Sequence, residues 1–214
     1  MSLGKRKSGN DFLPPLKYDA RVGQMILQDR VFVDGQWAPE QRVVTDSFRA
    51  VFDLENLQRG WIEFPKGGAP KAVLVPAGVD PGDPPSDDHK EGLRIVVKMD
   101  NALGGDVREL MSTAVALWNA IDDLHDKYLA GVADHPGELP VVTLTGTREM
   151  KTHSGTSFAP IFAIADWVPR PAKLPLAGIA TSQPKKASTA AKPATAAPSR
   201  PVAVKDDLND EIPF

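Results

Sequence analysis

The sequence predicts a mainly β domain with one long helix, built as a small barrel and followed by a disordered C-terminal tail. Three observations lead there. Short β-branched and aromatic runs recur through residues 18–170, separated by Gly-, Pro- and Asp-rich segments, the pattern of strands and turns. One central stretch keeps the three-to-four apolar spacing of an amphipathic helix. From residue 171 to 213 there is no aromatic residue, and Ala, Pro and Lys take over.

The elements follow in order. Residues 24–33, bounded by Gly23 and by Asp34-Gly35, read as a strand leading into a turn. Residues 42–54 carry Val43, Val44, Phe48, Val51 and Phe52, a long imperfect strand or a bent strand pair. Residues 60–64 form a short alternating strand. The runs 71–76 and 93–99 are β-branched, and the Pro-, Gly- and Asp-dense stretch between them is a loop. Residues 140–148 and 160–168 complete the strands. The helix is expected over residues 106–129, with Val107, Leu110, Met111, Ala114, Leu117, Trp118, Ile121, Leu124 and Tyr128 on its apolar stripe. Gly104-Gly105 precedes it, Asp106 offers a cap and Gly131 follows. Five to seven strands and an internal helix fit a small barrel; a β-sandwich under a covering helix gives a similar pattern.

Composition narrows the class. Hydrophobic content of 42% and charged content of 25% let 214 residues bury a real core. No apolar run approaches the roughly 18 residues of a membrane span, and no membrane partner is expected. The N-terminal MSLGKRKSGND is basic but lacks a signal peptide's apolar stretch. With no cysteine there is no disulfide framework, thiolate zinc site or cysteine nucleophile. A soluble, cytoplasmic protein is the expectation.

The net charge of −3 is unevenly placed. Residues 1–170 hold 19 Lys/Arg against 24 Asp/Glu, residues 171–205 hold six bases and no acid, and the last nine residues hold four acids and no base. Residues 171–205 also contain ten alanines and six prolines, too little apolar area to offset ordering entropy and too much proline for a long helix. The expected organisation is therefore a flexible basic arm at 1–17 with Lys5-Arg6-Lys7, a folded body at 18–170, a disordered linker at 171–205 and an acidic tip at 206–214. In the tip, Asp206, Asp207, Asp210 and Glu211 precede Ile212, Pro213 and Phe214. Pro213 stiffens the end, so Ile212 and Phe214 can fill a small pocket at reduced entropic cost, while the acids are steered by a basic rim.

Asp210-Glu211-Ile212-Pro213-Phe214 resembles the acidic tip of bacterial single-stranded DNA-binding proteins, and the order of body, Pro-rich linker and tip is that family's order. The likeness is specific over the last four or five residues and architectural over the last 44. It finds no residue-level match in the body. By element order the body is similar to phage-encoded single-stranded DNA-binding proteins, whose oligonucleotide-binding (OB) barrel carries an inserted helix. The resemblance implies an OB-fold-like barrel that coats and protects single-stranded DNA in replication, recombination or repair. It makes Asp206, Asp207 and residues 210–214 a docking peptide for replication and repair enzymes and leaves self-association open; no enzymatic activity, cofactor or metal is expected, because no catalytic or ligand constellation assembles from the sequence. It places the protein in the cytoplasm of a bacterium or a phage-infected host. The alternative is an adaptor module that uses the tip to join a replisome without coating DNA.

Nonspecific binding of a single strand needs cations along the phosphates and aromatic faces under the bases. Trp61, Phe64, Lys66 and Lys71 supply both around Gly67-Gly68. If Ile62 points inward, alternation sends Trp61 outward, although core is the commoner fate of a single aromatic. Arg148, Lys151, His153 and Phe158 form a second, polar hairpin loop. Arg94 and Lys98 share a strand face with Val96 between them, and Trp37 follows a turn where exposure is expected. Trp118 and Trp167 read as core. The body's excess of acids requires any DNA surface to be a local basic groove. Asp87-Asp88-His89 and Asp122-Asp123-His125-Asp126 mix metal-ligand residue types, but neither has a convergent second element. No phosphate-binding loop, nucleophile elbow or dinucleotide fingerprint appears, and both Gly-Gly pairs read as turns.

Overall fold

The structure, a computed structural model, describes residues 13–152 and 155–174. Ten strands form one sheet: β1 (Pro15–Asp19), β2 (Gln24–Val33), β3 (Gln36–Val43), β4 (Arg49–Phe52), β5 (Gln58–Glu63), β6 (Lys71–Pro76), β7 (Lys90–Met99), β8 (Val107–Ser112), β9 (Glu138–Thr152) and β10 (Gly155–Pro169). The single α-helix among the described residues, α1, spans Val115–Gly131. The protein is mainly β, and its sheet curls into a half-barrel.

β7 is the spine of the sheet. One edge pairs with β8 over Leu93 to Lys98. The other edge is shared, its first half with β5 and its last residues with β4. Beyond β4 the sheet continues to β9 and β10; beyond β8 it continues through a parallel β1 to β2 and β3. Curling brings β10 back to the β1–β2 turn. There the Phe158 N–H donates to Ala20 O at 2.7 Å and the Tyr18 hydroxyl donates to Phe158 O at 2.8 Å. Gly23 permits the approach, since a Cβ there would lie 3.1 Å from Thr147 Cγ2 and 3.2 Å from Phe158 Cβ, at φ +69°.

The core lies inside the curl. Phe48, Phe52 and Phe162 cluster with centroids 5.8–6.2 Å apart, and α1 lays Leu117, Ile121, Leu124 and Tyr128 against them. Trp167 stacks between Tyr128 and His135, and Trp118 packs at the core's edge beneath the Arg59 guanidinium. Both match the expectation of a packing role. The end of β10 is held by Arg170, which donates to both oxygens of fully buried Asp53 at 3.0 and 2.8 Å. The three open edges carry prolines: Pro39 in β3, Pro76 in β6, and Pro160 and Pro169 in β10. Proline removes a ladder donor and so discourages edge-to-edge pairing.

Several boundaries differ from the sequence expectation. The expected helix begins nine residues too early. Val107–Ser112 is a strand because β7 and β1 take its two edges, and Asp106 pairs with Arg108 at 2.8 Å instead of capping a helix. Residues 15–17, assigned to the flexible arm, belong to β1. Residues 42–54 are a bent pair, the end of β3 and then β4, joined through a 3-10 turn at Thr45–Ser47. The described body also runs past residue 170 to Leu174, whose side chain is 3% exposed. Residues 1–12, the rest of the linker and the tip lie outside the described residues.

Candidate nucleic-acid interface

Strand register sorts residues onto two faces. Away from the core, one continuous face carries Arg94, Val96 and Lys98 of β7, Glu109 and Met111 of β8 and Lys17 of β1. It continues with Ile26, Gln28, Arg30 and Phe32 of β2 and with Trp37, Pro39, Gln41 and Val43 of β3.

β1 pairs with β2 only from Gln24 to Leu27. Beyond that, β2 and β3 run on as a two-stranded ribbon about 20 Å long, at about 3.4 Å per residue. The ribbon ends in the two-residue loop Asp34-Gly35, with φ of 51° and 81°, the positive-φ geometry of a type I′ turn. Arg108 fixes its root. This guanidinium, 4% exposed, donates to Pro15 O, Gln28 O and both oxygens of Asp29, filling the gap beyond the end of β1. Arg42 adds a bond to Leu103 O at 3.0 Å.

The loop places Phe32 directly opposite Trp37. Their rings meet edge to face, centroids 5.4 Å apart and planes at 61°. They are 61% and 67% exposed, so the pair stands on the surface. Arg30 and Lys17 lie on the same face, both exposed and without an ion pair among the described residues. Next to the ribbon root is an open groove of about 470 Å³ whose walls include Lys17, Asp19, Arg21, Ile26, Gln28 and Gln41. Tyr18 also borders it; burial, with a smaller contribution from the Asp19 charge, pushes its hydroxyl pKa up to about 12.

The sequence-predicted residues fall at several places. Trp37 is at the ribbon, as exposed as expected. Arg94 and Lys98 share the outer face with Val96, but Arg94 is neutralised by Glu109 at 2.7 Å and also donates to Gln58. Trp61 points outward while Ile62 is buried, yet it is no free platform: it is half-buried and its indole N–H donates to Gly82 O at 2.8 Å. Lys71 is paired with Glu63 at 3.0 Å. The β5–β6 hairpin therefore offers Phe64, 52% exposed, and exposed Lys66. Three strands separate β5 from β2, a span of about 19 Å at the usual spacing of about 4.8 Å. Arg148 lines a small cavity against Asp123 and Lys127 of α1, whereas Lys151, three residues on, takes the other face. His153 lies outside the described residues.

Phe32, Lys17, Arg30, Gln28 and Gln41 escaped the sequence reading. A signal for the first was present: a two-residue Asp-Gly loop pairs 33 with 36 and hence 32 with 37. Asp122, Asp123 and Asp126 are exposed on α1, and among the described residues no three His, Asp or Glu side chains converge to hold a metal ion. Among the described residues, no helix is long and apolar enough to cross a membrane.

Comparison with known proteins finds no matching family model, no matching curated protein and no matching solved structure.

Proposed function

We propose that the protein binds single-stranded DNA along the outer face of β1, β2 and β3, with an OB-like barrel as scaffold and an acidic C-terminal peptide that recruits replication and repair enzymes. The exposed Phe32–Trp37 pair carries this proposal. Two large aromatic rings left on a hairpin forfeit burial, and base stacking returns roughly 1–3 kcal/mol per base. Arg30 and Lys17 lie on the same face to meet phosphates. The Ile-Pro-Phe end supports the recruiting role by sequence.

The adaptor alternative draws on the ion pairs. Arg49, Arg59, Lys71 and Arg94 are all paired with acids, which leaves few unpaired cations on the sheet to meet phosphates. One titration separates the two. Oligo-dT added at two salt concentrations should quench tryptophan fluorescence, with log affinity falling by about 0.7 per neutralised phosphate per decade of salt. Duplex of equal length should bind far more weakly, because its bases are already stacked. No binding of oligo-dT at low salt leaves the adaptor role.

A further inference from the structure

The groove beside the ribbon holds three polar side chains that the fold leaves uncommitted. Gln28 and Gln41 face each other directly across β2 and β3, and Lys17 reaches the same groove from β1. None of the three side chains has a hydrogen bond or ion pair among the described residues. Asp19, by contrast, is held by Arg21 through the backbone N–H at 2.9 Å and Nε at 3.5 Å. Ile26 gives the groove an apolar wall.

The donor set is selective. Each glutamine amide supplies a donor and an acceptor, but lysine only donates. Guanine presents two adjacent acceptors, O6 and N7, which suit lysine, and donors on its Watson–Crick edge, which suit the amide oxygens. Adenine sets a donor beside N7, which a single glutamine amide can meet but lysine cannot, so the preference for guanine over adenine rests on Lys17; the pyrimidines lack N7. The groove also lies at a usable distance from the aromatic pair. Gln41 and Trp37 share a face four residues apart on β3, about 14 Å at about 3.4 Å per residue. A strand spans this in about four nucleotides at the stacked rise of about 3.4 Å, and in fewer when extended.

We propose that this groove takes the edge of one unpaired guanine from a strand that stacks another base, a few nucleotides away, on Trp37, giving the protein a base preference. This deepens the single-stranded DNA reading and rests on it. The test compares oligo-dT of about twelve nucleotides, within the usual site size of about 4–16, with the same oligomer carrying one central dG. The full chain should bind the dG oligomer about tenfold more tightly, the discrimination of one bidentate contact. Gln28→Leu and Gln41→Leu should each bring that ratio toward one, with a smaller loss for oligo-dT than for the dG oligomer, and unchanged urea unfolding shows that the variants fold. Lys17→Met should lower both affinities and the ratio. Equal affinity for the two oligomers, or a preference that survives all three substitutions, overturns the guanine subsite alone. Failure of oligo-dT itself to bind overturns the DNA-binding reading and the subsite with it.

Discussion

Arg108 and Asp29 form a two-bond pair, at 2.7 and 3.0 Å, that closes the gap where β1 stops and the β2–β3 ribbon continues. Asp106 approaches the same guanidinium at 2.8 Å. Replacing Arg108 with Met should destabilise the domain toward the low end of the roughly 3–5 kcal/mol of a broken buried pair, since Asp29 retains some water contact. Hydrogen exchange should quicken first at residues 28–41. Unchanged urea unfolding and exchange would show that the pair does not anchor the ribbon.

Trp37 and Trp61 should behave in opposite ways. Trp37→Ala is expected to leave folding intact and weaken oligo-dT binding by roughly 1–3 kcal/mol, the loss of one stacked base. Trp61→Ala breaks a bond to Gly82 and should cost stability, less than the roughly 3–5 kcal/mol of a fully buried tryptophan, with DNA affinity preserved. Parallel unfolding and binding titrations decide it. Reversed results would move the interface to the β5–β6 hairpin.

Tyr18 gives an alkaline signature. Its folded pKa is raised to about 12 by burial, and then by Asp19, so the folded state holds the hydroxyl proton more tightly than the unfolded chain. That contribution is complete below the ordinary tyrosine value of about 10 and is lost as pH climbs through about 12, at most roughly 2–3 kcal/mol. Tyr18→Phe loses the bond to Phe158 O but should flatten this decline. Urea midpoints across the alkaline range should therefore converge for the two proteins.

Arg170 and Asp53 make the acid-side counterpart. Burial holds the Asp53 carboxyl above the ordinary carboxylate range, while Asn56 and Arg170 pull it partly back. A raised carboxyl favours the folded state at low pH and loses that contribution as pH rises through its folded value. Arg170→Met raises it further and leaves a buried carboxylate unpaired, costing about 3–5 kcal/mol near neutrality. The deficit should shrink as pH falls from neutrality into the acid range. A deficit independent of pH would place the cost in packing.

The tail prediction rests on sequence. Removing residues 212–214 should leave DNA affinity unchanged and abolish capture of replication enzymes in a pull-down. Removing residues 206–214 should also raise DNA affinity at low salt, because four tethered acids compete with phosphates until ionic strength screens them. Retention of every partner by the shorter truncation would end the recruiting role.

The amino-acid sequence by itself determined the β-rich class, seven of the strands in outline and the body of α1, because alternation and three-to-four spacing are local properties. It also showed Trp37 beside an Asp-Gly loop, where exposure was expected. Only the tertiary structure decided which edges were paired. Val107, Leu110 and Met111 match a helical stripe as well as a strand, and the ladders to β7 and β1 settled the matter. Pro15–Asp19 carries too few residues for a periodic signal and becomes a strand through contacts nearly a hundred residues away. The candidate interface was lost in the sequence for the same reason. Lys17, Gln28 and Gln41 meet because three strands pair in one register, while Arg94, Lys71 and Trp61 are taken up by Glu109, Glu63 and Gly82, partners that no local pattern reveals.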